Sequence, residues 1–219
     1  MSSEAKKTAP RPCSSERQEA ILEQAARLFA KHGYADTDTG LLAETIGVGK
    51  GTVYRHFPSM RELFLAAADR VLRMLRERVD ESVIHSVDPL DRIRGGIRAF
   101  LEFFAENPGF VELLIQERAQ FKDRAKPTLM EHRLINRERW RGLYEDLIAR
   151  GRVRPMPVER ITDVVGNLLY GTIFTNYFAG HAKSVTEQTE DIIDIIMRGI
   201  LTTAEQQNST PADVVAAAD

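Results

Sequence analysis

The spacing of apolar residues is the feature that most constrains how this chain can fold. Apolar side chains recur three and four positions apart along most of the chain, and no convincing run alternates apolar with polar residues as a half-buried strand would. A clear example begins near Ser15 and ends at Gly33, with Leu22, Leu28 and Phe29 on one face. The pattern predicts an all-α protein of about nine helices.

The composition limits the class of protein. Of the 219 residues, 43% are hydrophobic and 28% are charged, which is ordinary for a globular protein. The formal net charge of −2 gives no overall basic signal, so a nucleic-acid-binding surface must concentrate its positive charge locally. The single cysteine, Cys13, excludes an intrachain disulfide and fits a reducing cytoplasm.

Other features argue against a membrane, metal or catalytic role. The N-terminal residues lack the apolar core of a signal peptide, and no stretch approaches the ~20 apolar residues of a membrane span. The five histidines are scattered, without metal-ligand spacing to the cysteine or to one another. We also find no Ser/His/Asp arrangement and no carboxylate pair in a defined setting. We expect a cytoplasmic protein that is not an enzyme and has no metal site and no cofactor.

Proline, glycine and polar segments divide the chain. Residues 1–14 are predicted to form a disordered basic arm, and residues 15–60 contain three compact helices. Longer helices follow over residues 61–205, and residues 206–219 are predicted to be a disordered tail. The chain is therefore expected to combine a small helical module with a larger helical domain.

The segment GVGKGTVYRHF, at residues 47–57, permits two interpretations. Glycines beside a lysine can bind nucleotide phosphates, but a phosphate-binding loop requires Ser or Thr where this chain has Gly51. It also requires glycine where the chain has Glu44, and a buried strand where the chain has a short amphipathic helix. We therefore set nucleotide binding aside.

The second interpretation is a nucleic-acid-binding helix. Two short helices separated by a tight turn at Gly47 form the helix-turn-helix arrangement. In the second of them Val53 and Phe57 lie four residues apart and are expected to pack inward, which leaves the polar side chains outward or flanking. Gly51 inside a helix costs ~1 kcal/mol relative to Ala, and such a position often serves a close backbone approach.

The segments AARLFAKHGYADT and LLAETIGVGKGTVYRHFPSMRELF resemble the DNA-binding domain of the TetR family of transcriptional regulators. The resemblance covers about residues 15–65. It implies a homodimeric, ligand-responsive regulator, most simply a repressor that a small apolar or aromatic effector releases from a near-palindromic double-stranded DNA operator. The DNA-binding residues that it implies are Thr37, Lys50, Gly51, Thr52, Tyr54, Arg55, His56 and Arg61.

Several positions depart from the family pattern. Gly40 stands where a basic side chain is frequent, Gly49 where Ser or Thr is frequent, and Met60 where Lys is usual. Positions 16–62 hold six Lys or Arg against seven Asp or Glu. We therefore predict modest, salt-sensitive DNA binding, strengthened if the basic arm reaches a groove. A helical adaptor, or a degenerate regulator that binds DNA weakly, is the alternative.

The resemblance also implies a small-molecule pocket among the middle helices of residues 61–205. Aromatic residues at helical spacing supply candidate lining side chains, although the same spacing is equally typical of a plain core. Gln116, His132 and Arg133 are further candidate polar groups. The candidate ligand-binding residues are Phe100, Phe104, Phe121, Trp140, Tyr144, Asn167, Tyr170 and Phe174.

Two C-terminal segments are candidates for the dimer interface. Residues 158–180 are apolar almost all the way round, so both faces should be covered, and residues 186–203 carry an isoleucine-rich stripe. The resemblance implies that two helices from each chain form a four-helix bundle, while the alternative is burial within one chain. The candidate dimerisation residues are Val165, Leu169, Ile192, Ile196, Gly199 and Ile200.

Overall fold

The computed structural model describes residues 14–180 and 184–209, and this part of the chain is almost wholly helical. It contains an isolated antiparallel bridge between Val153 and Leu201 but no strand, so the all-α prediction is confirmed. The helices are α1 (Ser14–His32), α2 (Thr39–Ile46), α3 (Lys50–His56), α4 (Met60–Val83), α5 (Pro89–Glu106), α6 (Gly109–Gln120), α7 (Thr128–Ala149), α8 (Val158–Ala179), α9 (Val185–Ile200) and α10 (Thr203–Ser209).

The C-terminal end differs from the prediction, since the described residues hold ten helices rather than about nine. Residues 206–209, predicted as disordered tail, belong to α10. The Arg152 guanidinium donates to Asp88 Oδ1 at 2.6 Å and to Glu205 Oε1 at 2.7 Å, which fastens α10 beside the loop after α7. Residues 1–13 of the predicted arm and 210–219 of the predicted tail lie outside the described residues.

Local capping signals set the boundaries of the N-terminal helices. Asp38 Oδ1 accepts a hydrogen bond from the Leu41 amide at 2.8 Å and begins α2. Gly47 ends α2 in the left-handed conformation, with φ 71°, which glycine adopts without steric cost. Ser59 Oγ accepts from the Glu62 amide at 3.1 Å and begins α4. These interactions act within three residues, which is why the sequence predicts them well.

The long helix α4 joins the two parts of the molecule. Phe64 and Val71 are fully buried, and α4 packs on α1 along one side and on α5 along the other. The predicted boundary at residue 60 falls at the first residue of α4, and one continuous core crosses it. Any rotation of α4 therefore moves the helix-turn-helix relative to the larger domain. None of the described helices is both long enough and apolar enough to cross a bilayer.

Candidate DNA-binding surface and central cavity

Helix α3 presents its polar side chains to solvent and is anchored from beneath. Val53 and Phe57 are buried, while Lys50, Tyr54 and Arg55 are exposed. Within the described ranges, neither Lys50 nor Arg55 donates a hydrogen bond, so both cations are available to an external anion. Thr52 and His56 flank this surface and are half-buried.

Asp38 reduces the positive potential of this surface. The backbone N–H groups of Leu41 and Gly40 hydrogen-bond its carboxylate and lower its pKa, and the nearby Lys50 ammonium lowers the pKa further. Asp38 is therefore ionised at neutral pH and partly offsets the charge of Lys50. This arrangement supports the expectation of modest, salt-sensitive binding.

The structure does not place the Thr37 side chain on the exposed surface of α3. Its side chain is only 4% exposed, because its Oγ1 donates to the Gly33 carbonyl at 2.7 Å across the turn after α1. Its neighbour Thr39 has a role that the sequence did not indicate. Thr39 Oγ1 donates to the Tyr54 hydroxyl at 3.0 Å and so orients a ring that is 49% exposed. The two residues are 15 positions apart, and no local pattern signals the contact.

Arg61, also predicted on the DNA surface, is engaged within the chain. Its Nη2 lies 2.5 Å from Asp123 Oδ2 in the loop after α6, and its guanidinium lies 4.9 Å from the Phe121 ring centroid. The hydrogen bond raises the pKa of Arg61 and lowers the pKa of Asp123. Arg61 therefore links the start of α4 to the α6–α7 loop.

A cavity of about 130 Å³ lies among α4, α5, α7 and α8. Four of the eight candidate ligand-binding residues line it: Phe100, Trp140, Tyr144 and Tyr170. Burial raises the pKa of Tyr170 to about 12, so its phenol is neutral at physiological pH. The volume is close to the ~150 Å³ of an engineered apolar cavity that binds benzene.

The other four candidates lie elsewhere. Phe121 is in an aromatic cluster with Tyr34 and Phe64, at centroid distances of 5.1 and 5.4 Å, between the DNA-binding module and α6. Phe104 lines a separate, smaller cavity, and Phe174 packs against the core. Asn167 is exposed and does not line the cavity, although its Oδ1 accepts from Arg133, which does. For Phe121, placement at the ligand is wrong, because its ring fills the joint between the two parts of the molecule.

Polar groups of the cavity come mainly from arginines. Arg133 Nη2 donates to Asn167 Oδ1 at 2.7 Å, and its guanidinium lies 5.6 Å from the Tyr170 ring centroid. His132, another candidate, instead faces α4, where its Nε2 lies 2.7 Å from Asp69 Oδ1. The sequence indicated Arg133 but not the other arginines of the lining, which are Arg76, Arg137 and Arg139. Arg137 lies one helical turn from Arg133 on α7, but Arg76 comes from α4, and no spacing rule brings these two helices together.

The candidate dimerisation residues lie in different environments. Val165 and Leu169 line the central cavity, and Gly199 is exposed. The isoleucines of the α9 stripe, Ile192, Ile196 and Ile200, are buried within their own chain, and α9 packs on α5. The most apolar face of α9 is therefore buried in the core of its own chain, as expected for an amphipathic helix.

A different apolar surface remains open on α8 and α9. Phe178 is 72% exposed and Ile195 is 67% exposed, and Val164 and Leu168 are also exposed. Residues 164, 168, 171, 175 and 178 follow the spacing of one helical stripe. We name Val164, Leu168, Phe178 and Ile195 the α8–α9 apolar face. A face of this kind on a monomer marks an interaction surface.

A chain of hydrogen bonds connects α8 to the turn after α1. Tyr177 donates from its hydroxyl to Glu112 Oε2 at 2.7 Å, and Gln116 Nε2 donates to Glu112 Oε1 at 2.9 Å. Gln116 Oε1 in turn accepts from the Tyr34 amide at 2.9 Å. Helix α6 therefore contacts both the DNA-binding module and the C-terminal helices.

Comparisons with known proteins agree with this geometry. Residues 21–67 match the family model for bacterial regulatory proteins of the tetR family. The uncharacterised HTH-type transcriptional regulator YhgD of Bacillus subtilis is 28% identical over 171 residues, which cover 74% of this chain and 84% of YhgD. The nucleoid occlusion factor SlmA of Vibrio vulnificus is 29% identical over 110 residues, 50% of this chain; the match spans only 56% of SlmA.

A solved structure extends the likeness to the larger domain. A TetR transcriptional regulator from Chloroflexus aurantiacus is 26% identical with a TM-score of 0.69, covering 86% of this chain and 98% of that protein. A helix-turn-helix head on a larger helical domain that encloses a cavity defines the class of DNA-binding transcription regulators. The N-terminal DNA-binding domain is of the TetR family and the larger domain shares the fold of a solved TetR regulator, which confirms the resemblance read from the sequence.

Proposed function

We propose that this protein is a homodimeric repressor that binds a near-palindromic operator and leaves it when a small molecule fills the central cavity. The observation that carries the proposal is the orientation of α3. Lys50, Tyr54 and Arg55 face solvent, whereas Val53 and Phe57 fix the helix to the core. The protein acts on chromosomal DNA in the cytoplasm, and the proposal assigns it no catalysis.

The DNA-contacting set is smaller than the sequence indicates. Lys50 and Arg55 bind phosphate or base edges, and Thr52, Tyr54 and His56 supply further polar contacts. Gly51 has no chain atom within 4 Å of the place where a Cβ would stand, so nothing in the described structure requires glycine there. A close approach of the DNA backbone to residue 51 explains why glycine stands at this position. The Thr37 side chain and Arg61 are left out of this set.

The second chain of the dimer binds through the α8–α9 apolar face. Two copies related by a two-fold axis bury Phe178 and Ile195 against the same face of the partner, as a symmetric interface requires. The two α3 helices then occupy successive major grooves, ~34–36 Å apart, and the operator has matching half-sites.

Effector release follows from the position of α4. Leu75 and Val79, in the C-terminal half of α4, line the cavity, and its first residue, Met60, lies four positions after the end of α3 at His56. A ligand that prefers a conformer with differently spaced α3 helices shifts the population away from DNA binding. A ligand with equal affinity for both conformers shifts nothing. The Arg61–Asp123 ion pair transmits movement of the α6–α7 loop to the same end of α4.

The test is selection of preferred sites from a pool of random DNA duplexes, followed by binding measurements at several salt concentrations. A near-palindromic site should emerge, and the Lys50→Ala plus Arg55→Ala variant should bind it at least ~10-fold more weakly. The matched control, Arg150→Ala plus Arg154→Ala, removes two exposed cations at the α7–α8 loop, away from α3, and should bind normally. Unchanged affinity of the first variant favours a helical adaptor, and recovery of no preferred site overturns the proposal.

A further inference from the structure

The lining of the central cavity is strongly cationic. Its charged side chains are four arginines and one carboxylate, Asp163, so the wall carries a formal charge of +3. The whole chain, by contrast, carries a formal net charge of −2. Such a concentration of one sign in a partly enclosed, apolar cavity raises the potential felt by an entering anion.

Arg137 lacks a close partner for its guanidinium. Its Nε is buried and has no hydrogen-bond partner. The nearest carboxylates are distant, with Asp163 Oδ1 at 3.9 Å from Nη1 and Glu138 Oε1 at 3.8 Å from Nε. The side chain as a whole is 33% exposed, so its guanidinium is open to an entering acceptor, which would also satisfy the buried Nε donor.

Arg76 and Arg139 add further positive charge to the lining of the cavity. Arg139 is paired with Asp80, while Arg76 has no ion pair within the described part of the chain. Burial lowers the pKa of Arg139, and the neighbouring charge of Arg76 lowers it further. Arg76 therefore contributes a positive charge to the cavity that no carboxylate within residues 14–180 and 184–209 pairs with.

The sole carboxylate of the lining does not offer a site for a cationic ligand. Asp163 Oδ1 lies between Arg133 and Arg137, at 3.8 and 3.9 Å, and these guanidinium groups already surround it. An amine placed there would face the arginines at the same time, and like charges in a low-dielectric cavity repel strongly.

The apolar part of the cavity has the dimensions of one ring. Ile93, Ile97 and Phe100 form one side, and Trp140 packs on α5 at Gly96. A Cβ at Gly96 would stand 3.0 Å from the Trp140 ring, so glycine is needed for the indole to lie where it does. The volume of about 130 Å³ fits a single aromatic or cyclohexane ring.

We infer that the effector is an organic carboxylate with a ring-sized apolar body, its ring against Phe100 and Trp140 and its carboxylate on Arg137 and Arg76. The inference rests on the proposed function, in that it assigns the chemical class of the ligand that releases the DNA. Arginine suits this role because its planar N–H groups match a carboxylate in a bidentate pair.

Trp140 provides the measurement, since it is the only tryptophan of the chain and lies in the cavity wall. Purified full-length protein is titrated with the single-ring acids phenylacetate, 3-phenylpropanoate and cyclohexanecarboxylate. Each acid has two matched controls, its primary amide and the corresponding amine. The acids should change the Trp140 fluorescence and bind at least about tenfold more tightly than their amides, the fold-change for losing a charged hydrogen bond. The amines should not bind.

Two variants locate the carboxylate. Arg137→Met and Arg76→Met keep much of the side-chain volume and remove the charge, so each should weaken acid binding by about tenfold or more and leave amide binding nearly unchanged. Arg150→Met, at the exposed end of the same helix as Arg137, is the matched control and should change neither. Melting temperatures of all three variants verify that they fold.

Three outcomes overturn the inference: amides that bind as tightly as their acids, amines that bind best, or no acid that binds below about 10 mM. Each of these can occur while the protein still selects and binds an operator, so failure here leaves the DNA-binding proposal intact. Conversely, acids that bind at Arg137 without changing DNA affinity support the ligand class and contradict effector release.

Discussion

Lys50 lies directly over Gly40. Its Nζ is 2.8 Å from the point where a Cβ at position 40 would stand, and Asp38 Oδ1 is equally close to that point. The resemblance to the TetR family implies a basic side chain at the position of Gly40, and in this chain the ammonium of Lys50 occupies that space. Gly40 therefore leaves room for a cation from the next helix on the proposed DNA-binding surface.

Gly40→Ala should displace Lys50 and weaken operator binding by about threefold or more. The free energy of unfolding should change little. The gain of ~1 kcal/mol in helix propensity opposes a loss of similar size at the Asp38 cap. Binding titrations and urea unfolding measure the two quantities. In a Lys50→Ala background the same substitution should not reduce affinity further, and fully additive effects would contradict the contact.

Gly51→Ala should change protein stability and DNA affinity in opposite directions. Because the position is exposed and open, alanine should raise the free energy of unfolding by about 0.5–1 kcal/mol while lowering DNA affinity by about tenfold. Gly142, an exposed and open glycine within α7, is the matched control. Gly142→Ala should stabilise similarly without affecting DNA. Normal DNA binding by Gly51→Ala would refute the close approach of the DNA backbone.

Phe178→Glu should convert the dimer into a monomer, since a carboxylate on the α8–α9 apolar face cannot be buried against its own copy without a large desolvation penalty. Light scattering measures the molar mass. Ile84→Glu places the same charge on another exposed apolar residue, 70% accessible at the end of α4, and should leave the dimer intact. A dimeric Phe178→Glu protein would place the interface elsewhere.

Glu117→Gln should destabilise the protein by about 1–3 kcal/mol. The side chain is 1% exposed, and Oε1 accepts from the Thr128 amide at 2.8 Å and from Arg124 Nη1 at 2.5 Å, which fixes the start of α7. Glu131 also pairs with Arg124, at 3.2 Å, but is half exposed. Glu131→Gln should therefore cost less than about 1 kcal/mol in denaturant unfolding. Equal effects would show that burial of Glu117 is unimportant.

Protonation of the Asp69 carboxylate should make the free energy of unfolding depend on pH in the acidic range. Burial raises the pKa of its carboxyl, but hydrogen bonds from His132 and Arg73 outweigh this, so the folded pKa lies below 3.8. A depressed folded pKa contributes stability that is present above the unfolded value and is lost as pH falls through 3.8 towards the folded value. Asp69→Asn should therefore be less stable than the parent at pH 7, with the gap narrowing at pH 3. Asp36→Asn, an exposed control, should show no such trend.

The boundaries of α2, α3 and α4 and the inward and outward faces of α3 follow from the sequence alone. Their causes are short-range: a capping side chain three residues away, a glycine in the left-handed conformation, and two apolar residues one helical turn apart. The TetR pattern lies in these same positions. Fold class and the chemistry of Lys50, Tyr54 and Arg55 could therefore be read without the tertiary structure.

Contacts between segments far apart in the sequence could not be predicted from it, because they depend on how the helices pack. Arg61 meets Asp123, 62 residues away, and the arginines of the cavity come from both α4 and α7. Amphipathic periodicity shows that α9 has an apolar face, but whether that face meets its own chain or a second one depends on the helices around it. Local preferences are encoded over a few residues, whereas the assignment of partners is a property of the whole packed core, and only the tertiary structure decided it.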